Sequence, residues 1–297
     1  MTATVAAKPP RNLHTRSLLA PSVAALLLWM IVPLVMTLWF SAERYNLLSP
    51  GKTVFAGWGN YRDLLTHRAL WVAMGNTLIL VGLVLAITLV FGTLFSLLLD
   101  QDFPGHQVCR LLVIAPFFVM PTVSALIWKN MLMNPVFGLL AWITRSLGFG
   151  AIEFFSRMPL LSIVVIVGWE WTPFAVLILL PALQSLNPEQ VEAARLDGAG
   201  PIALFRHIQL PHLLRPMAVV AMIEMIFLLS LFAEIYVTTN GGPGLASTNL
   251  AYLIFRDALL GFDVGRASAG GVIAIVLANI VGLFLMRLVG RNLEDLR

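Results

Sequence analysis

The chain has 297 residues, 59% of them hydrophobic and only 11% charged, where ordinary globular domains carry roughly 25% charged residues. Its formal charge of +4 and pI near 9.6 come without a basic block interleaved with aromatics, which excludes a nucleic-acid surface and points to a membrane. Cys109 is the sole cysteine, so an internal disulfide and a cysteine metal cluster are excluded too.

Residues 1–17 carry Lys8, Arg11 and Arg16 among prolines and threonines and read as a short basic tail. The first apolar run extends from Leu18 to about Ser41. It is longer than the ~7–15 apolar residues of a signal peptide and lacks a small-residue cleavage site, so it is expected to be a retained transmembrane helix. Five further runs follow: Val72–Leu99, Leu111–Trp128, Leu160–Leu183, Met217–Val237 and Ala267–Leu288. Each reaches or approaches the ~20 residues that cross a bilayer core. The expected fold is therefore an all-α integral membrane protein with six transmembrane helices and both termini on one side, residues 18–297 forming one domain. Pro33, Pro116, Pro121 and Pro173 fall inside these runs, where neighbouring helices can satisfy the freed carbonyls.

Between the runs, Tyr45–Leu70 mixes Gly, Pro, Trp and charged residues and reads as an ordered loop or an interfacial segment. Its Gly51-Lys52-Thr53 looks like the tail of a phosphate loop, but the upstream glycine is replaced by Asn46, so no nucleotide site is expected. Phe137–Phe149 is expected to form a short amphipathic helix. The five histidines are scattered, and neither a His-Glu-x-x-His pair nor a Gly-x-Ser-x-Gly elbow occurs, so the chain is expected to be non-catalytic, without cofactor or metal.

Polar residues inside apolar runs are costly and therefore informative. Glu170 lies between Trp169 and Trp171; Glu224 and Glu234 fall in the fifth run, the latter near Ser230, Phe232 and Tyr236. One reading makes Trp169, Glu170, Trp171, Ser230, Phe232, Glu234 and Tyr236 a substrate path, since carboxylates accept hydrogen bonds from sugar hydroxyls and aromatic faces stack on sugar C–H faces. The other makes the glutamates structural, paired with Lys129, Asn130 or a partner subunit, and the tryptophans interface anchors.

The stretch from 184 to 216 is a polar, helix-forming island. Asn187 can cap a helix beginning Pro188-Glu189-Gln190, and Asp197-Gly198 stops it. Gly200-Pro201 starts a second helix, with Ile202, Leu204, Phe205 and Ile208 as its apolar content and Pro211 as its limit. Two short helices with a glycine hinge, too polar for lipid, require a protein partner.

Glu192, Ala193, Ala194, Gly198, Ile208, Leu210 and Pro211 resemble, without a gap, the EAA loop of permease subunits in binding-protein-dependent ABC importers. The resemblance implies the type I importer permease fold in a bacterial inner membrane, with both termini and the loop cytoplasmic. The charge distribution leans the same way: ten Lys and Arg on that side and eight in the outer loops, with Lys129 at the end of the third run. It also implies the partners: a second, similar permease, two copies of a cytoplasmic ATPase, a periplasmic solute-binding protein and the surrounding lipid. Glu192 would form an ion pair with the ATPase, Gly198 would supply the bend, and Ile202 and Phe205 would anchor the contact. Thr238–Gly244 resembles an element of the maltose- and glycerol-phosphate-type carbohydrate permeases, and Phe262–Gly270 is most similar to the polyol (sorbitol/mannitol) members. The implied function is ATP-driven uptake of a sugar or polyol. A proton-coupled carrier or channel using Glu170 and Glu234 is the alternative reading of the residues themselves.

The last run carries Gly270, Ala274, Ala278 and Gly282 every four residues, a small-residue stripe suited to close helix contact, within the subunit or with a partner.

Overall fold

The computed structural model describes residues 13–49 and 51–294; residues 1–12 of the basic tail, and Arg297, lie outside the described residues. In chain order the elements are α1 (Leu13–Ser41), a hairpin of β1 (Glu43–Arg44) and β2 (Val54–Phe55), α2 (Gly59–Thr66) and α3 (Arg68–Leu99). Next come α4 (His106–Ile114), α5 (Pro121–Ile127), α6 (Leu139–Ser146), α7 (Phe154–Arg157) and α8 (Pro159–Gln184). The chain ends with α9 (Pro188–Leu196), α10 (Pro201–Leu204), α11 (Leu210–Leu229), α12 (Ala233–Thr238), α13 (Leu250–Phe255) and α14 (Val264–Glu294).

Among the described residues, five stretches are long and apolar enough to cross a membrane unbroken: Ala20–Ser41, Arg68–Leu99, Pro159–Gln184, Pro201–Leu229 and Val264–Arg287. The third run differs from the continuous Leu111–Trp128 helix expected of it: His106–Phe118 and Pro121–Leu132 meet at 107°. Pro121 explains the break. It cannot continue a helix from the preceding turn, and it pushes Met120 to an extended backbone (φ −60°, ψ 137°) before starting a new helix at its own first position.

The fifth run is also interrupted. Its helix ends at Leu229 rather than Val237, and Phe232 (φ −140°) turns the chain into α12, so Glu234 and Tyr236 stand on a separate short helix. The carbonyl of Leu231, freed at the break, accepts a hydrogen bond from the Asn249 amide.

At the centre, α3 and α8 pack against each other along their lengths. A Cβ on Gly92 would lie 2.5 Å from Ala175 Cβ, and one on Gly168 would lie 2.9 Å from Ile87 Cγ2, so these glycines set how near the two backbones approach. Leu80, Val84, Ile163, Val167 and Leu228 fill the core where α11 joins the pair. Hydroxyls buried in these helices bond back to their own turns, Thr77 to the Ala73 carbonyl at 2.7 Å and Ser96 to that of Gly92 at 2.7 Å, leaving no stranded donor. The small-residue stripe of α14 is used inside the subunit: Gly270 faces Ile254 and Leu64, and Gly282 faces Met225.

Candidate functional site

The island at 184–216 forms the two helices expected of it. Asn187 accepts a hydrogen bond from the Glu189 N–H at 3.0 Å, capping α9, with Pro188 at the first helical position. At the other end, Ala199 N–H donates to Ala194 C=O at 2.9 Å and Gly198 N–H to Arg195 C=O at 3.1 Å. That pair of bonds closes a helix around a left-handed residue, and Gly198 supplies it with φ +85°. Nothing lies within 4 Å of a Cβ built on Gly198, so the requirement there is purely conformational.

Pro211 does not limit the second helix, contrary to the expectation. A π-helical turn over Phe205–Gln209 joins α10 to α11, and the chain stays helical from Pro201 to Leu229. The wider turn lets the helix pass a residue that has no N–H to donate.

Side-chain positions divide the segment. Glu192, Ala193 and Gly198 are exposed, and Ile202 is 82% exposed. Ala194, Ile208 and Pro211 are half-buried. Phe205 and Leu210 turn inward and, with Leu89, Leu94 and Met217, line an apolar groove of about 600 Å³ against α3. Leu196 is 89% exposed at the tip of α9, and the sequence signal for it is an apolar residue directly before the Asp197-Gly198 stop. Behind α9, Asp100, Gln184, Glu192, Arg195 and Gln209 line a cleft of about 340 Å³. Partial burial holds the Asp100 carboxyl above its usual range, opposed by a hydrogen bond with Gln184 and reinforced by nearby Asp102.

The second set of residues lies within the bundle. Glu170 and Glu234 are both buried, at 6% and 5% exposure, and their carboxyl groups face each other beside Ser124. Lys129 is not their counter-ion: its Nζ donates to the Val237 carbonyl at 2.7 Å. Among the described residues no ion pair joins Glu170, Glu224 or Glu234 to a cation. Glu224 instead accepts from Thr88 Oγ1 at 2.6 Å.

The aromatics split into groups. Trp171 packs on Phe117 (6.2 Å between ring centroids), Phe174 (5.7 Å) and Phe227 (5.2 Å). Phe232 stacks on Tyr236 at 5.4 Å and meets Phe255 at 4.6 Å. Trp169 points elsewhere, against Trp128 at 5.7 Å, and lines an apolar cavity of about 490 Å³. Ser230 is exposed but bonds back to the Phe227 carbonyl at 2.9 Å. Of the seven residues, then, Glu170 and Glu234 come together, Phe232 and Tyr236 come together, and Trp169 stands apart.

Residues 69–295 match the family described as the inner membrane component of binding-protein-dependent transport systems. The chain belongs to that family. This permease is 34% identical over 281 residues to the trehalose/maltose transport system permease MalF of Thermococcus litoralis, covering 94% of each chain. It is 33% identical over 258 residues to the probable ABC transporter permease y4oQ of Sinorhizobium fredii, covering 86% of this chain and 83% of that one. In fold it is similar to a subunit of the bacterial alginate ABC transporter crystallised with its alginate pentasaccharide-bound periplasmic protein. The TM-score is 0.79 at 21% identity, over 95% of each chain. The permease is thus a multi-pass inner-membrane protein and a transport subunit rather than an enzyme.

The end of the permease opposite α9 is fastened by residues that the sequence reading passed over. Asn76 on α3 donates to the carbonyls of Leu245 (3.0 Å) and Thr248 (2.9 Å), and Asn249 caps α13 by accepting from the Tyr252 N–H at 2.8 Å. Inside Thr238–Gly244, Gly241 has φ +77°, and a Cβ there would sit 2.5 Å from Thr248 Oγ1. Only glycine fits.

Proposed function

We propose that this permease is one of two membrane subunits of an ATP-driven importer of a sugar or sugar alcohol, with segment 188–211 docking on a cytoplasmic ATPase. In this reading both termini and that segment are cytoplasmic, residues 1–17 are a basic tail, and residues 18–297 form the transport domain. The observation that carries it is the projecting segment itself. Helix α9 has no buried residue, and the apolar Leu196 and Ile202 stand 89% and 82% exposed beside the exposed Glu192. A polar helix with an exposed apolar side chain at its tip, followed by a second on the next short helix, is suited to a protein cleft. Glu192 supplies charge, Gly198 the bend, and Leu196 and Ile202 the apolar contact; Phe205 and Leu210 instead tie the segment to α3.

ATP-dependent closure of the two ATPase copies then displaces the segment and shifts the bundle between its open states. That shift requires a difference in affinity for the two states. A periplasmic binding protein delivers the substrate, as the name of the family and the alginate system support. The relatives named for trehalose and maltose support a carbohydrate, and the Phe262–Gly270 stretch favours a polyol within that class. The facing Glu170 and Glu234, with Trp171, Phe232 and Tyr236 nearby in sequence, are the candidates for hydroxyl and C–H contacts along the path. The proton-coupled carrier is not favoured for a chain of a binding-protein-dependent family.

The test is reconstitution of this chain with its second permease, ATPase and binding protein, followed by assay of which sugar or polyol stimulates ATP hydrolysis. Stimulation by one such ligand with its binding protein is expected. Proton-driven uptake without an ATPase would overturn the proposal.

A further inference from the structure

Segment 185–211 leaves the membrane bundle at the end of α8 and rejoins it at the start of α11, where Leu183 and Leu213 share a buried cluster and His212 adds a polar contact across the gap. His212 Nε2 lies 2.8 Å from the Ala182 carbonyl, thirty residues earlier, and 3.2 Å from Ser185 Oγ. Ser185 Oγ donates to the same Ala182 carbonyl at 2.7 Å. Ala182 sits in the last turn of α8, where its carbonyl already accepts from the Ser185 N–H at 3.2 Å, and the imidazole N–H adds a donor that comes from α11. Because a carbonyl only accepts, Nε2 must carry the hydrogen. Pro211, with its fixed φ, sets the backbone on which the ring is mounted.

We propose that His212 is a positioning residue for coupling, a clasp that closes the base of segment 185–211 so that its displacement reaches α8 and α11 together. The inference rests on the reading of that segment as the ATPase contact. With the clasp closed, a push on α9 acts on two spans fixed to each other, one carrying Glu170 and the other leading to Glu234. With it open, only the apolar packing of Leu183 and Leu213 joins the two ends, and part of the push is absorbed in the loop. His207 cannot serve the same purpose, because its Nδ1 faces the Ala203 carbonyl only four residues away.

The test uses the reconstituted transporter in a Cys109→Ser background with a spin label at Gln190→Cys, an exposed position of α9 outside the apolar contact. His212→Ala should raise label mobility and reduce substrate molecules transported per ATP hydrolysed about threefold to tenfold, the range one lost hydrogen bond allows. The KM for ATP should be unchanged. His212→Gln, whose amide N–H can reach the Ala182 carbonyl, should restore the ratio to within about twofold of wild type. His212→Leu keeps bulk without the donor and should behave as the alanine variant; it replaces that variant should the alanine protein not survive purification. An unchanged ratio and unchanged mobility in His212→Ala or His212→Leu would overturn the clasp, as would failure of His212→Gln to restore function. A Gln190 label that is indifferent to the ATPase in protein with His212 intact would overturn the coupling reading beneath it, a result distinct from the other two.

Discussion

The two ends of the bundle are built on opposite principles. At one end the chain between α11 and α14 is closed on itself. Asn76 reaches across from α3, Asn249 caps α13 and satisfies the break after Leu229, and Ser247 bonds both Thr239 and the Gly242 carbonyl. Leu250, Tyr252 and Leu253 are buried beneath. At the other end α9 buries nothing, and Leu196 at its tip is 89% exposed. Local hydrogen bonds shape both regions, but only the first is finished. A segment whose backbone is fully organised while its apolar tip stays open is preorganised for a partner, since little ordering entropy remains to be lost on docking.

Two glycines put this contrast to the test, because both are left-handed and only one is packed. Gly241→Val adds a side chain at φ +77° with Thr248 Oγ1 and Tyr252 Cε1 within 2.6 Å of its Cβ. Conformational strain and overpacking together are expected to cost about 2–5 kcal/mol, read as a large loss of thermal stability in detergent. At the same end Asn76→Ala strands two loop carbonyls and should cost about 1–3 kcal/mol in the same assay. Gly198→Val meets no neighbour, so only the backbone penalty of ~1–2 kcal/mol applies, confined to the exposed segment. Its melting temperature should stay near wild type while binding-protein-stimulated ATPase activity falls roughly 5–30-fold, the rate equivalent of that penalty. A large fall in stability for Gly198→Val, or a small one for Gly241→Val, would erase the distinction between the ends.

What could be read from the residues follows the range of the interaction. The membrane runs, the Asn187 cap and the Gly198 turn depend on neighbours a few positions away, and all were legible. Met120-Pro121 carried a local signal for the break in the third run, but hydropathy alone runs straight through it. The end of the fifth run depends on Asn249 arriving from a distant loop. Glu170 meeting Glu234, and His212 meeting Ala182, are juxtapositions of separate helices that no spacing announces.

The smallest expected effect is at Glu192, and it bears on what the open end is for. Glu192 is the fifth residue of α9, beyond the first turn where the helix dipole favours a negative charge, and it is exposed, so removing it should leave the helix and the fold almost unchanged. Any effect of Glu192→Ala on ATPase affinity therefore reports a contact outside this chain. An exposed ion pair contributes about 0.2–1 kcal/mol, so a loss of about two- to fivefold in ATPase binding is expected at low salt. Screening should weaken wild-type binding as salt rises and bring the two proteins together, because the variant lacks the charge being screened. Glu192→Gln should match the alanine variant if charge alone matters. Equal affinity of wild type and Glu192→Ala at every salt concentration would shift the docking contact to the apolar tip formed by Leu196 and Ile202.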